Sequence, residues 1–418
     1  MSLAEIHKKA KLVMIPSGFN SSSSTDNLYS VIPSNSDGDF NYSGTTNGTR
    51  VNKDGLIEIA SSNQPRLDYS PNNPQNPHLL LEPSKQNLVT HSENFDNYFT
   101  KFNSNNTPNV DTSPLGSFTA NKFFTDSNNS AHTLFKIETV STNPFTFSIF
   151  AKKLQKNFIQ IILGSDFGNT HSNINLENGV VTAESGHTTD VQNYGNGWYR
   201  ISATATPSGT SGYFSVGIID ASDSARNASS QGDGSSGILI WGAQIEQSSV
   251  ATSYIPTSSS ATTRTVDTCN SAGNSTIINT SEGVLFAEIA ALANDSSLRD
   301  ISVSNGSTDR ILLSYLNSSN RIAMQFIDGG ASQFTLQFDG ATITNFNKIA
   351  IKYKSSDYAL WVNGSERATN TSHTNALAGL DRINFDRGDG GDDFFGKCKQ
   401  LMYFDTILTD AELTTLTT

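Results

Sequence analysis

Apolar and polar positions alternate with a period of two through most of this chain, the spacing that buries one face of a β-strand and leaves the other wet. Phe145, Phe147 and Ile149 alternate with Thr146 and Ser148, and the stretches 199–206, 212–219 and 237–241 share this character. A second series of strand-like segments occupies 284–290, 310–315, 321–326, 348–353, 358–362 and 396–404. Gly, Asn and Ser separate the segments. That layout predicts an all-β chain of two antiparallel jelly-roll β-sandwiches in tandem. Trp241 and Ile245 are expected to face the first core.

The N-terminal end reads differently. Leu3, Ile6, Ala10 and Val13 recur at helical spacing, predicting a short amphipathic helix over 2–12. A helix this short is marginal alone and needs a partner surface; a frayed terminus fits the same residues. Short β-like pieces at 27–32, 39–42, 49–52 and 56–59 follow, broken by Asp-Gly, Asn-Gly and Asp-Gly turn signals at 37, 47 and 54. They hold few large apolar residues, so they are expected to pack on the next domain or on copies of themselves. The Pro/Asn run at 70–77 reads as a connector, and the Ser/Thr/Ala/Gly/Asn stretch after 258 as a linker. The resulting division is an N-terminal anchor at 1–78, a sandwich at 79–258, a linker at 259–281 and a second sandwich at 282–418. Asn363-Gly364 supplies a hairpin turn, and Thr409-Asp-Ala-Glu412 is a capping box opening a terminal helix whose Leu413 and Leu416 cover the sandwich.

Composition narrows the function classes. Charged residues make up 16% of the 418, against about 25% in an average soluble protein, and the net charge is −12 without a Lys/Arg cluster. Nucleic-acid binding therefore lacks its electrostatic footprint. With 24 Phe and 12 Tyr the chain is too aromatic for disorder. Cys269 and Cys398 are expected to be unpaired thiols. No stretch reaches the about 18 apolar residues of a membrane span, so no membrane insertion is expected, and the first residues carry charge without a signal-peptide apolar core.

Catalytic motifs are missing at the sequence level. The seven histidines form neither His-x-His nor His-Glu-x-x-His, and neither a Gly-x-Ser-x-Gly elbow nor a phosphate loop occurs. Asp386-Arg-Gly-Asp-Gly-Gly-Asp-Asp393 is the densest acidic stretch; Asp389, Asp392 and Asp393 are candidate Ca²⁺ ligands, and a solvated hairpin loop fits the same residues. No other cofactor is implied. Glycan binding needs an aromatic plate with amides and carboxylates around it. Trp198, Tyr199, Tyr358 and Trp361 are the candidate plates, although core packing suits the same residue types. Tyr194, Asp357 and Asn384 are loop positions of the same kind.

Three distant stretches belong together: Leu79-Leu-Leu-Glu-Pro-Ser-Lys-Gln-Asn-Leu88, Gly195-Asn-Gly-Trp-Tyr-Arg200, and Ile240-Trp-Gly-Ala-Gln-Ile-Glu246 with Ser253-Tyr-Ile-Pro-Thr257. This set resembles a β-sandwich module, related to carbohydrate-binding modules, of bacteriophage tail fibres and other virion proteins. Residues 36–69 resemble the segment that precedes it. Over 282–418, Lys-Ile-Ala-Ile-Lys-Tyr353, Leu-Trp-Val-Asn-Gly364 and Leu-Met-Tyr-Phe404 resemble the concanavalin A-like, laminin-G type lectin fold. Hydrolytic members of that fold carry Glu-x-Asp-x-x-Glu on one strand, a spacing this sequence lacks. The resemblance implies a non-catalytic structural protein of a phage particle, made in the host cytoplasm: a tail fibre or receptor-binding protein, with homotrimers as the usual arrangement. Residues 1–78 would attach to tail or head proteins, and the sandwiches would adhere to bacterial surface glycans. A head decoration or tail scaffold protein without a receptor role, and a capsular polysaccharide depolymerase, are the alternatives.

Overall fold

A computed structural model describes residues 2–16, 27–44, 46–71 and 73–418. Two antiparallel sandwiches dominate it, as the alternation predicts. The first packs a sheet ordered Ser104–Asp111, Ala120–Thr125, Gly237–Glu246, Phe145–Lys152, Trp198–Ala205, Thr188–Asn193 on a sheet ordered Val180–Ser185, His171–Asn175, Phe158–Ser165, Ser211–Ile219, His132–Thr139, Thr100–Phe102. Phe147, Ile149, Ile161, Ile201, Phe214 and Ile240 fill the space between them.

The second sandwich contains more of the chain than 282–418. Its larger sheet runs Ser365–Asn370, Tyr358–Val362, Asn347–Lys354, Glu282–Ala291, Gly396–Phe404, and then continues into Asn73–Leu81 and Leu67–Ser70. Leu12–Met14 pairs with the other end of Gly396–Phe404, Val13 facing Met402. The opposing sheet is Ala331–Asp339, Arg321–Asp328, Arg310–Tyr315, Arg299–Ser304, Arg382–Asn384. Leu12, Met14, Leu79 and Leu81 share one core with Leu285, Ile351 and Leu401.

The division at 78 and the linker at 259–281 are therefore revised. The N-terminal pieces are short of apolar residues because they are added strands of a larger core. Thr262–Arg264 pairs with Lys85–Asn87, and Thr268–Asn270 with Phe40–Ser43, so the Ser/Thr-rich stretch is ordered and carries the buried Arg264, Asp267 and Cys269. Helix α1 (Leu3–His7) opens on a Ser2/Glu5 capping box, and α2 (Asp410–Thr417) on the expected Thr409/Glu412 box. Ile6, Ala10, Leu413 and Leu416 pack together on the outer face of the larger sheet, against Phe286, Trp361 and Met402. Lys9 and Glu412 tie the two ends of the chain at 2.5 Å. Leu3, expected on the buried side, is exposed.

Trp241 does not face the first core as expected, because Ile238 and Ile240 point into it and Leu239 and Trp241, alternating with them, point away. Gly242 has φ +61°, and a register shift falls opposite it between Ser148 and Phe150, so the strand bulges by one residue. Ile240, Ala243 and Ile245 point into the first core, whereas Trp241 turns to the other face. There Trp241, Phe150, Trp198 and Tyr254 form a second aromatic layer, closed by Ile57 of the hairpin Thr49–Val51/Ile57–Ile59. The N-terminal segment thus seals both sandwiches, and its Ile57 N–H donates to the Pro114 carbonyl at 3.0 Å.

Between the sandwiches lies a buried ionic knot. Arg66 donates to Glu82 at 2.6 Å and also to Asp267; Arg264 meets Glu82 at 3.0 Å. Ser253 N–H donates to the same Glu82 carboxylate at 2.7 Å, and the Tyr42 hydroxyl to Asp267 at 2.7 Å. Burial by itself would raise the Glu82 carboxyl, but the Arg264 and Arg66 guanidiniums outweigh it and hold it at about 2.

Candidate functional site

The aromatic residues that the sequence offers as sugar plates are walled in. Trp198, Tyr199, Tyr358 and Trp361 are 3%, 8%, 2% and 5% exposed, so none presents a ring face to a ligand. Trp198 follows its Gly-Asn-Gly turn but donates its indole N–H to the Thr112 carbonyl at 3.2 Å. Tyr358 packs edge-on against Phe326 and Phe334, and its hydroxyl donates to the Asn375 carbonyl. Trp361 lies in the layer that α1 and α2 cover.

The acidic loop is likewise occupied by its own arginines. Arg387 pairs with Asp389 at 3.0 Å and with Asp392 at 2.8 Å, and Arg310 reaches Asp389 at 3.1 Å. Asp393 stands apart from these pairs; burial, with Asp386 and Asp392 nearby, pushes its carboxyl up to about 6. Carboxylates neutralised by guanidinium make poor Ca²⁺ ligands. Among the described residues no group of three His, Cys, Asp or Glu is placed to hold a metal. Cys269 and Cys398 are both buried and unpaired.

A cleft of about 520 Å³ opens instead where the N-terminal segment, the first sandwich and the second meet. Its floor follows from strand alternation. Cys398 points into the second core, so Lys397 and Lys399 point out of the sheet. On the neighbouring strand Leu79 and Leu81 point in, leaving His78 and Leu80 beside the lysines, with Lys397 in register with Leu80. The helices cover the far half of this sheet face and leave this half open. Gln192, Asn193 and Tyr194, where the first sandwich turns between Thr188–Asn193 and Trp198–Ala205, form the facing wall, and Asp68, Tyr69 and Pro71 close one side.

The chemistry of this cleft is mixed. Phe346 carries the Lys399 ammonium 4.0 Å from its ring centre and meets the His78 ring edge-on at 5.7 Å. Lys399 also pairs with Glu288 at 3.3 Å. Asp68 accepts the Val51 N–H at 2.7 Å and faces His78 Nε2 at 3.4 Å. Tyr194 leans edge-on against Phe150, centroids 4.9 Å apart, which fixes its ring in the cleft wall. Half-buried Tyr69, Tyr194 and Phe346 therefore sit among amides, one carboxylate and two ammonium groups. Of these residues the sequence points only to Tyr194. The Lys-x-Lys alternation in the last strand could have marked the floor, had the burial of that strand's other face been known.

A second cavity of about 560 Å³ sits on the first sandwich alone, between His91, Glu93, Asn97, Asn109 and Pro256. Its size matches the cleft, but no Phe, Tyr or Trp is among its described lining residues, and Glu93 is engaged by the Tyr254 hydroxyl at 3.2 Å. The cleft is the stronger candidate on its lining.

No protein-family model matches the chain, and no curated protein matches it. Solved structures share parts of it. The CBM40 of the Ruminococcus gnavus IT-sialidase, bound to alpha2,3 sialyllactose, is 18% identical over 36% of this chain and 94% of its own, with a TM-score of 0.30. Domain 4 of AbnA, a GH43 extracellular arabinanase from Geobacillus stearothermophilus in complex with arabinotriose, is 11% identical over 37% of this chain and 73% of its own, at 0.30. The botulinum neurotoxin serotype D binding domain is 13% identical over 35% and 39%, at 0.27. The chain covers only 26% of the leech intramolecular trans-sialidase that it also matches. Likeness at this level carries no argument about what this chain binds.

Proposed function

We propose that this protein is a non-catalytic glycan-binding component of a phage particle, acting as a tail fibre or receptor-binding protein, with the inter-sandwich cleft as its sugar site. The observation that carries the binding reading is the cleft's lining: Tyr69 and Tyr194 offer ring surface to the apolar face of a sugar, while Asn76, Gln192 and Asp68 offer hydrogen bonds to hydroxyls. Asp68 is the one carboxylate there and already accepts the Val51 N–H. Acid-base hydrolysis of a glycosidic bond uses two carboxylates flanking it, so the lining favours adhesion over cleavage.

The particle setting rests on the sequence resemblance of the three motif stretches. Attachment through residues 1–78 takes a changed form, because that segment is built into both sandwiches. A tail or head protein would have to grip the folded body, for instance the α1/α2 face, instead of a detachable arm. Weak sites add up through avidity when several copies, as in a trimer, engage one surface. Purified protein titrated with host surface polysaccharide tests the reading: binding without release of shorter chains supports it, and depolymerisation would establish the enzymatic alternative. Counting copies per particle separates fibre from head decoration.

A further inference from the structure

We infer that the cleft takes an anionic saccharide unit, whose carboxylate or phosphate docks at Lys397. This deepens the glycan-binding reading and depends on it. The chain as a whole is acidic, at −12, yet the cleft gathers the ammonium groups of Lys397 and Lys399 against Asp68 alone. The acid there accepts the Val51 N–H and lies 3.4 Å from His78 Nε2, which makes no hydrogen bond, and Lys399 is satisfied by Glu288 and the Phe346 ring. Among the described residues the Lys397 ammonium has no carboxylate within ion-pair distance, although it lines the cavity on the same sheet face as Lys399. An unpaired ammonium at the floor of a partly desolvated cleft attracts an anion more strongly than one on an open surface, because the dielectric around it is lower. Tyr69, which also lines the cleft, gives the ligand's ring an apolar seat, while Gln192 across the cleft provides an amide for hydroxyls.

A carboxylate sugar and a phosphate-bearing polymer share this chemistry. The intact protein is titrated calorimetrically with a polyuronate, with a glycerol phosphate polymer and with neutral dextran, alongside Lys397→Ala and Lys397→Arg. The expected result is binding of at least one anionic polymer, weakened at least fivefold by Lys397→Ala, largely retained by Lys397→Arg, and reduced by salt of about 0.5 M. Preference for the uronate or for the phosphate polymer assigns the source of the charge. Equal binding of dextran and the anionic polymers, unchanged in Lys397→Ala, overturns the anionic inference and leaves the glycan reading standing. Binding of none of the three overturns both. Because Lys397 is a half-buried surface side chain, an unchanged melting temperature in each variant shows that lost binding is not lost folding.

Discussion

Arg66 and Glu82 form an ion pair at 2.6 Å with both side chains removed from solvent, joining the N-terminal segment to the first residue past the last strand it shares with the second sandwich. Asp267 on the other guanidinium nitrogen and Arg264 on the same carboxylate complete the charge balance. Removing one member of such a set strands a buried charge, at a cost of about 3–5 kcal/mol. Arg66→Ala should lower the urea midpoint accordingly, whereas Arg321→Ala, which breaks an exposed pair with Asp339, should leave it unchanged. Equal midpoints for the two variants would contradict the structural role given to the knot.

The Leu-Glu-Pro, Gln-Ile-Glu and Ser-Tyr-Ile-Pro-Thr stretches acquire a physical meaning here. Glu82 is the hub of the knot, Ser253 feeds it an N–H, and Glu246 accepts from Thr252 N–H at 2.9 Å. The motifs mark a joint, so they identify a scaffold and say nothing of its ligand. Period-two alternation was enough to reveal two sandwiches and many of their strands, and local signals, an Asn-Gly pair and a capping box, marked the Asn363-Gly364 turn and the Thr409 cap. What it could not reveal is contact at long range. The pairing of Val13 with Met402 and the sealing of Trp241 by Ile57 depend on partners far along the chain. Trp198 after its glycine turn has the local look of an exposed plate, and only the Thr112 carbonyl explains why it is not one. The cleft was illegible for the same reason: its floor, wall and side come from three separate parts of the sequence.

The N-terminal helix gives a second prediction. Ile6 is fully buried against the outer sheet face, so Ile6→Ala should cost about 2–4 kcal/mol, read as a fall in melting temperature. A variant as stable as the parent would mean that α1 detaches in solution, restoring the free-arm picture of residues 1–78.

Gly242 yields a third. Its φ of +61° and the Phe150 ring 3.0 Å from where a Cβ would stand leave little room for a side chain. Gly242→Val should destabilise by about 2 kcal/mol or more, and should disturb the near-ultraviolet signal of the Trp241 layer. Native-like near-ultraviolet circular dichroism and an unchanged midpoint would count against the bulge.

Asp300 supplies a pH signature. Burial chiefly, aided by the Asp392 carboxylate, pushes its carboxyl up to about 7 against a Ser314 hydrogen bond and the pull of Arg387 and Arg310. The folded state therefore holds a proton that the unfolded chain has released, and stability falls as pH rises from about 4 to 7 through this group. Asp300→Asn should be more stable than the parent at pH 8 by on the order of 2 kcal/mol, with the gain vanishing near pH 4. A gain that is constant across that range would contradict a raised carboxyl.

Binding in the cleft predicts that Phe346→Ala, which deletes the ring beneath Lys399, weakens glycan affinity about tenfold while leaving the fold intact. Isothermal titration beside a thermal melt checks both halves; an unaltered affinity would move the site elsewhere.

The most direct measurement is a crystal structure of the protein with an oligosaccharide released from the host surface. Sugar density is expected between Phe346, Tyr194 and Lys397, in the cleft between the sandwiches. Sugar bound instead beside His91 and Glu93, or on either sandwich's outer sheet face with the cleft empty, would contradict it.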